Sequence, residues 1–236
     1  MYKKKHKLLI RQPLSIREKV YTAIKNDILN GHIPPGGRVV ETRLAKEIKT
    51  SRMPVREAMH MLEMEGLLEA IPRVGYRVTP LEWDEFEEIC EIRAVNETLA
   101  ARWAIKRITL KEIRALEENI TAAETEAKKW NQRSFVERDA EFHEILAIAS
   151  GSKRLLELCQ LLCNHMLRYR VEASYHPEPA LVAIEGHRRI LACVKKKDEE
   201  GVESAIREHL ERSKLCVQQY VFGGEYEKKE LGEGGK

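Results

Sequence analysis

The chain of 236 residues is poor in cysteine, and the cysteines it has are not arranged for chemistry. There are five, Cys90, Cys159, Cys163, Cys193 and Cys216, an odd number with no CxxC spacing among them. That pattern argues against a disulfide framework and against a thiolate zinc site, and leaves reduced packing residues on helices. Long apolar runs are missing too: no stretch approaches the roughly 18 uninterrupted apolar residues of a membrane span. The opening MYKKKHKLLIRQP lacks the apolar core and small-residue cleavage site of a secretory signal. The expected setting is therefore the cytosol, with no membrane partner. What is present, 43% hydrophobic and 33% charged residues, is the composition of a soluble globular protein, in a length that suits two modest domains.

Net charge is only +3, but it is unevenly spread. Up to Pro80, the candidate domain boundary, 16 Lys and Arg stand against 8 Asp and Glu, and beyond it 25 stand against 30. A basic first domain beside a mildly acidic second one is the charge footprint expected of phosphate-backbone binding.

Ser15-Ile16-Arg17-Glu18 has the form of a capping box and predicts a helix with an apolar stripe of Val20, Ile24 and Ile28. A second helix is expected over 41–48, with Leu44, Ala45 and Ile48 inward. A third begins near Ser51-Arg52-Met53-Pro54 and stops at Gly66, its core face being Val55, Ala58, Met59 and Leu62. Two short strand-like runs follow, 67–71 and 76–79, around a Pro72-Arg73-Val74-Gly75 tip. Three helices and a hairpin make a winged helix-turn-helix, in which the start of the third helix meets base edges and the wing reaches the neighbouring groove or backbone. Arg52 and Arg56 stand four apart, so both project from one side of that helix start, where Arg forks onto guanine or clamps phosphate.

These residues carry a resemblance. Leu44-Ala45 to Val78, above all Ser51-Arg52-Met53-Pro54-Val55-Arg56-Glu57-Ala58, Glu65-Gly66-Leu67-Leu68 and Pro72-Arg73-Val74-Gly75, resembles the N-terminal domain of the GntR family of bacterial transcription factors. The resemblance implies that Ser51, Arg52, Arg56, Arg73 and Gly75 touch double-stranded operator DNA, with Thr42 and Arg43 near the backbone. Met53 stands where that family often has a polar residue.

From Trp83 onward only helical periodicity is visible, and its breaks give six helices at about 82–106, 110–130, 134–149, 152–174, 179–196 and 198–221. The expected fold is mainly α, a winged helix-turn-helix over 13–80 and an all-α antiparallel bundle over 81–222. A basic tail precedes them over 1–12, and a Gly, Glu and Lys-rich tail expected to be disordered follows over 223–236. Polar residues interrupt the inward stripes of the bundle. Ser134 to Glu137 reads as the cap of a helix whose inward face is Phe135, Asp139, Phe142, His143 and Leu146. His187 shares a face with Ile184, Ile190 and Val194, and His209 one with Val202, Ile206 and Cys216.

A single inward His is more often a hydrogen-bonded core residue than a ligand, and an Asp-His pair one turn apart can simply bond to itself. Four such residues on three helices are less easily dismissed, because a buried carboxylate costs several kcal/mol unless a cation or donor meets it. Asp139, His143, His187 and His209 thus predict one divalent transition metal per chain, zinc first, with nickel or manganese as alternatives.

Asp139-x-x-Phe142-His143, Gly186-His187-Arg188-Arg189-Ile190-Leu191 and Arg207-Glu208-His209-Leu210 resemble the FCD ligand-binding domain of the FadR subgroup of the same family, in its six-helix, VanR-like branch. All four metal-ligand positions of its metal-binding members are filled. The branch implies a small carboxylate effector of the di- or tricarboxylate class, and a homodimer joined through the helical domains. Arg93, with Glu97 one turn on, matches an R-x-x-x-E pattern whose Arg holds the effector carboxylate; as an exposed i, i+4 ion pair the two would count for a few tenths of a kcal/mol. The chain is expected to be a metabolite-responsive repressor and not an enzyme. A purely structural metal is the nearest alternative. A metal-dependent hydrolase is the distant one, for no separate general base is in view and a basic winged helix has no use in it.

Overall fold

Ser15 starts the first helix, α1 (Ile16–Leu29), as its spelling requires: its hydroxyl accepts from the Glu18 N–H while its own N–H donates to the Glu18 carboxylate at 2.7 Å. This is a computed structural model in which residues 15–223 are described; the expected tail at 1–12 and nearly all of that at 223–236 lie outside them. The chain divides after Pro80 into two compact units.

In the first unit α1 is followed by β1 (Arg38–Val39), α2 (Glu41–Glu47), α3 (Arg52–Met64), β2 (Leu68–Ile71) and β3 (Gly75–Val78). The strands form one antiparallel sheet in the order β1-β3-β2, with Arg38 opposite Arg77 and Leu68 opposite Val78. β1 is absent from the sequence reading because two residues after a Pro-Gly turn show no alternation. The core is the buried face of α3, Val55, Ala58, Met59 and Leu62, packed on Val20, Ile24 and Ile28 of α1. Truncating Met59 or Leu62 to Ala would cost about 2–5 kcal/mol. Ile48, expected inward, is instead exposed: α2 ends at Glu47, Ile48 is its cap, and Lys49 turns the chain at φ 53°.

The second unit is α4 (Trp83–Arg107), α5 (Leu110–Lys128), α6 (Gln132–Ala149), α7 (Lys153–Ala173), α8 (Pro177–Lys196) and α9 (Glu199–Val221). Among successive helices α5 packs on α6, α6 on α7 and α8 on α9, while α4 packs on α6, α7 and α9 and α5 on α8. α6 begins two residues before the expected cap. Asn131 takes that role, its side-chain oxygen accepting from the Ser134 N–H, which leaves Ser134 inside the first turn. Pro177 and Pro179 sit in the first turn of α8, where a missing donor costs nothing, so the helix starts earlier than the loop-like spelling suggests. Trp83, Phe86, Tyr169 and Phe222 make an aromatic cluster, with the Phe86 and Tyr169 rings 4.8 Å apart. All five cysteines are free; burial pushes the Cys90 thiol up to about 11 and that of Cys159 up to about 12, so both are unreactive packing groups. Among the described residues no helix is long and apolar enough to cross a membrane.

Candidate metal centre

Three helices of the second unit bring four polar side chains to one buried point. α6 presents Asp139 and His143 one turn apart, α8 presents His187 and α9 presents His209, and all four are buried. One donor atom from each lies within 4.8 Å of the others. His143 Nε2 is 3.3 Å from His187 Nε2 and 3.2 Å from His209 Nε2, and Asp139 Oδ1 is 3.4 Å from His187 Nε2. Two nitrogens bound to tetrahedral zinc at about 2.0–2.1 Å stand roughly 3.3 Å from each other, so the spacing fits a first-row ion. Three imidazoles and a carboxylate are also the donor chemistry such ions take.

Each ligand is backed by a second group. The Phe142 ring stacks on His187 at 3.9 Å. Arg170 donates to Asp139 Oδ2 at 3.2 Å, leaving Oδ1 toward the histidines. His143 Nδ1 lies 2.8 Å from Glu97 Oε2, while Arg93 Nε donates to Glu97 Oε1 at 2.8 Å. Behind His209 stands Gly186: a Cβ there would come within 2.9 Å of His209 Cγ and closer still to Nδ1. Only glycine lets α8 and α9 approach so closely at this level. Arg93 is 3% exposed and Glu97 8%, so the pair is not a surface ion pair.

Burial would raise the Asp139 carboxyl, but Arg170 and the surrounding histidines outweigh it and hold the group well below the carboxylate range. Glu97 is held low in the same way by Arg93 and His143. Burial pushes His187 well below its ordinary value and takes His209 down to about 3. Both imidazoles are therefore neutral at pH 7 and available as ligands. Unfolded histidines bind protons near pH 6.5, which the buried ones refuse, so the metal-free protein should lose stability as pH falls from about 6.5 toward 3. Thermal melting of chelated protein across that window checks the sign; a melting temperature flat down to pH 4 would contradict it.

A cavity of about 50 Å³ opens beside Asp139 and His209, and Arg93, Arg170 and Lys214 also line it. Arg170 is a residue at this site that the sequence alone did not point to, and Glu97 entered there only as the i, i+4 partner of Arg93, not as a neighbour of His143. The signal for Arg170 was its place between Met166 and Ala173 on the inward side of α7.

In the first unit, Ser51, Arg52 and Arg56 are exposed on the first turns of α3, and Thr42 and Arg43 on the first turn of α2. Glu41 holds both arginines of α3: Arg56 Nε and Nη2 each donate to it at 3.0 Å, and Arg52 Nη2 at 3.3 Å. Arg73 is exposed at the tip of the hairpin with φ 67°. Gly75 has φ 131°, and a Cβ there would be 3.1 Å from the Val39 oxygen, so glycine is required for β1 to pair.

Residues 16–78 match the bacterial regulatory proteins of the gntR family, and residues 88–212 match the FCD domain. An HTH-type transcriptional regulator of Bacillus subtilis, YdhC, is 33% identical over 80% of this chain and 85% of its own length. The Escherichia coli transcriptional repressor RspR is 26% identical over 86% of this chain and 90% of its own. The solved structure of E. coli McbR/YncC superposes with a TM-score of 0.74 at 23% identity, over 88% of this chain and 99% of that one. A GntR regulator from Rhodococcus sp. RHA1 superposes with a TM-score of 0.73 at 19% identity, over 86% and 98%. With both units accounted for in their order along the chain, the protein is a member of the gntR family of the type that carries a C-terminal FCD domain, a transcriptional regulator and not an enzyme.

Proposed function

We propose that this regulator is a dimeric repressor whose grip on a palindromic operator is set by a small dicarboxylate or tricarboxylate bound beside a divalent metal on Asp139, His143, His187 and His209. The observation that carries the reading is the charge of the buried site. Arg93 and Arg170 cancel Glu97 and Asp139, and imidazole ligands are neutral, so a divalent ion leaves a net charge of two. Such an excess in a place shut off from water calls for an anion of matching charge. The adjoining cavity of about 50 Å³ has room for about one carboxylate group, with Arg93, Arg170 and Lys214 lining it, so a whole acid would have to widen it. When bound, the metal would supply the positive charge that a carboxylate beside it answers. Zinc suits three nitrogens and one oxygen best, with nickel or manganese as alternatives. Elemental analysis of purified protein should find near one metal per chain, lost in His187→Ala; a metal-free wild type that binds none on reloading would remove the ion.

In the first unit the start of α3 would enter the major groove, with Arg52 and Arg56 at base edges or phosphates, Ser51 beside them, Thr42 and Arg43 near the backbone, and Arg73 with the wing in the neighbouring groove. Glu41 already holds the Nε–Nη2 edge of Arg56, so DNA would take the Nη1 end of the guanidinium or displace Glu41. The name of RspR as a repressor supports repression, with acid binding as the release signal. Dimerisation is supported by an apolar stripe on two packed helices: Ile92, Val95 and Trp103 of α4 and Leu158 and Leu161 of α7 are all exposed. A patch of that kind marks an interface. Val95→Glu combined with Leu161→Glu should give a monomer by sedimentation velocity, with at least about tenfold weaker binding to a palindromic site because the two half-sites are no longer linked. An unchanged dimer would place the interface elsewhere.

A further inference from the structure

Glu97 stands outside the donor cluster, yet its geometry reaches into it. Arg93 and Glu97 lie one turn apart on α4, and both are buried. The Glu97 carboxylate is used on both sides: Oε1 accepts from Arg93 Nε at 2.8 Å, and Oε2 lies 2.8 Å from His143 Nδ1. With Arg93 donating to its other oxygen, the carboxylate faces Nδ1 as an acceptor, so a hydrogen shared across this 2.8 Å approach would belong to Nδ1. That choice leaves a bare lone pair on His143 Nε2, the atom that faces His187 and His209 at 3.3 and 3.2 Å. His209 Nδ1 is buried with no hydrogen-bond partner among the described residues, and Glu97 Oε2 approaches His143 Nδ1 to ion-pair distance without the alignment of a formed hydrogen bond.

Resting on the metal reading above, we propose that Glu97 is a positioning residue that fixes the tautomer and ring angle of His143 for the ion, with Arg93 holding Glu97 in place. Arg93 is then first a support for this carboxylate. Its side chain also lines the small cavity beside Asp139, whereas Glu97 and His143 line a separate cavity of about 300 Å³ with Glu144, Cys159 and Gln160. The relay therefore runs between two cavities, one on the side where an acid would sit and one behind the ligand. Carboxylates in this outer position orient metal-bound imidazoles generally, and their loss weakens metal binding by about 10–100-fold.

The test uses the full-length protein and Co²⁺ as a spectroscopic probe. Glu97→Ala should lower Co²⁺ affinity by about 10–100-fold and shift the visible bands, while Glu97→Gln, whose amide oxygen still accepts from Nδ1, should recover most of the affinity. Nitrogen-15 spectra of the zinc-loaded wild type should show His143 protonated at Nδ1 and bound through Nε2, a result that does not depend on whether the alanine variant folds. Glu97→Ala with the wild-type affinity and spectrum, Glu97→Gln as weak as Glu97→Ala, or metal on His143 Nδ1 would each overturn the assignment. A wild type that takes up no cobalt would overturn the metal reading and this assignment together, and is told apart from the other outcomes by that arm alone.

Discussion

Alanine at Gly186 is expected to cripple the proposed metal centre without altering any of its four candidate ligands. The added methyl would come within 2.9 Å of His209 Cγ and closer to Nδ1, and His209 is held in a buried position on α9. Either the imidazole leaves the cluster or α8 moves away from α9, the two helices packed most extensively on each other. Overpacking of this kind costs about 1–3 kcal/mol of stability, and loss of one of four ligands should lower metal affinity by about 100-fold or more by the same logic that makes even an outer-shell change cost 10–100-fold. Chelator competition and thermal melting read the two effects separately. A Gly186→Ala protein that binds metal like the wild type would show that His209 is not held where the structure puts it. The first unit, compact in itself, should keep its fold.

The second large effect is expected at Arg56. Its guanidinium is exposed at the start of α3 and tied by two bonds to Glu41, an arrangement that presents the planar fork in one orientation. A bidentate contact to guanine carries about 1–3 kcal/mol of base discrimination. Arg56→Ala should therefore weaken operator binding by roughly 10–100-fold per half-site and relax the preference at one base position, as read by fluorescence anisotropy on a selected palindromic site. Lys should not restore it, because a point charge lacks the fork. An Arg56→Ala protein with undiminished affinity and the same base preference would take this residue out of the interface.

Much of this was legible in the sequence because periodicity records which face of a helix is buried. Asp139 and His143 announce themselves as polar residues at positions where Phe135, Phe142 and Leu146 demand apolar ones, and His187 and His209 do so on α8 and α9. The helix order followed from capping boxes at Ser15 and from turn chemistry at Gly66 and Gly151. What stayed hidden depends on contacts between elements far apart in the chain. Nothing in the spelling of α4 says that Glu97 meets His143 of α6, nor in that of α7 that Arg170 meets Asp139. The spacing of Arg93 and Glu97 is the same for a solvated ion pair and for a buried relay. Only burial separates the two. Likewise Gly75, whose motif position suggested a DNA contact, owes its φ and its lack of a side chain to the approach of β1, a strand too short to be read.

The measurement that bears most directly on the proposed sensor is operator affinity with and without acid, in three states of the protein: zinc-loaded, chelated, and His187→Ala. Succinate, malate and citrate serve as the acids. A coupling of about 1–3 kcal/mol, or roughly 5–150-fold in affinity, is the ordinary range for a site that controls a distant one. At least one of these acids is expected to weaken DNA binding of the zinc-loaded protein within that range and to leave the chelated protein and His187→Ala unmoved. An acid response of equal size in all three states would contradict the proposed sensor.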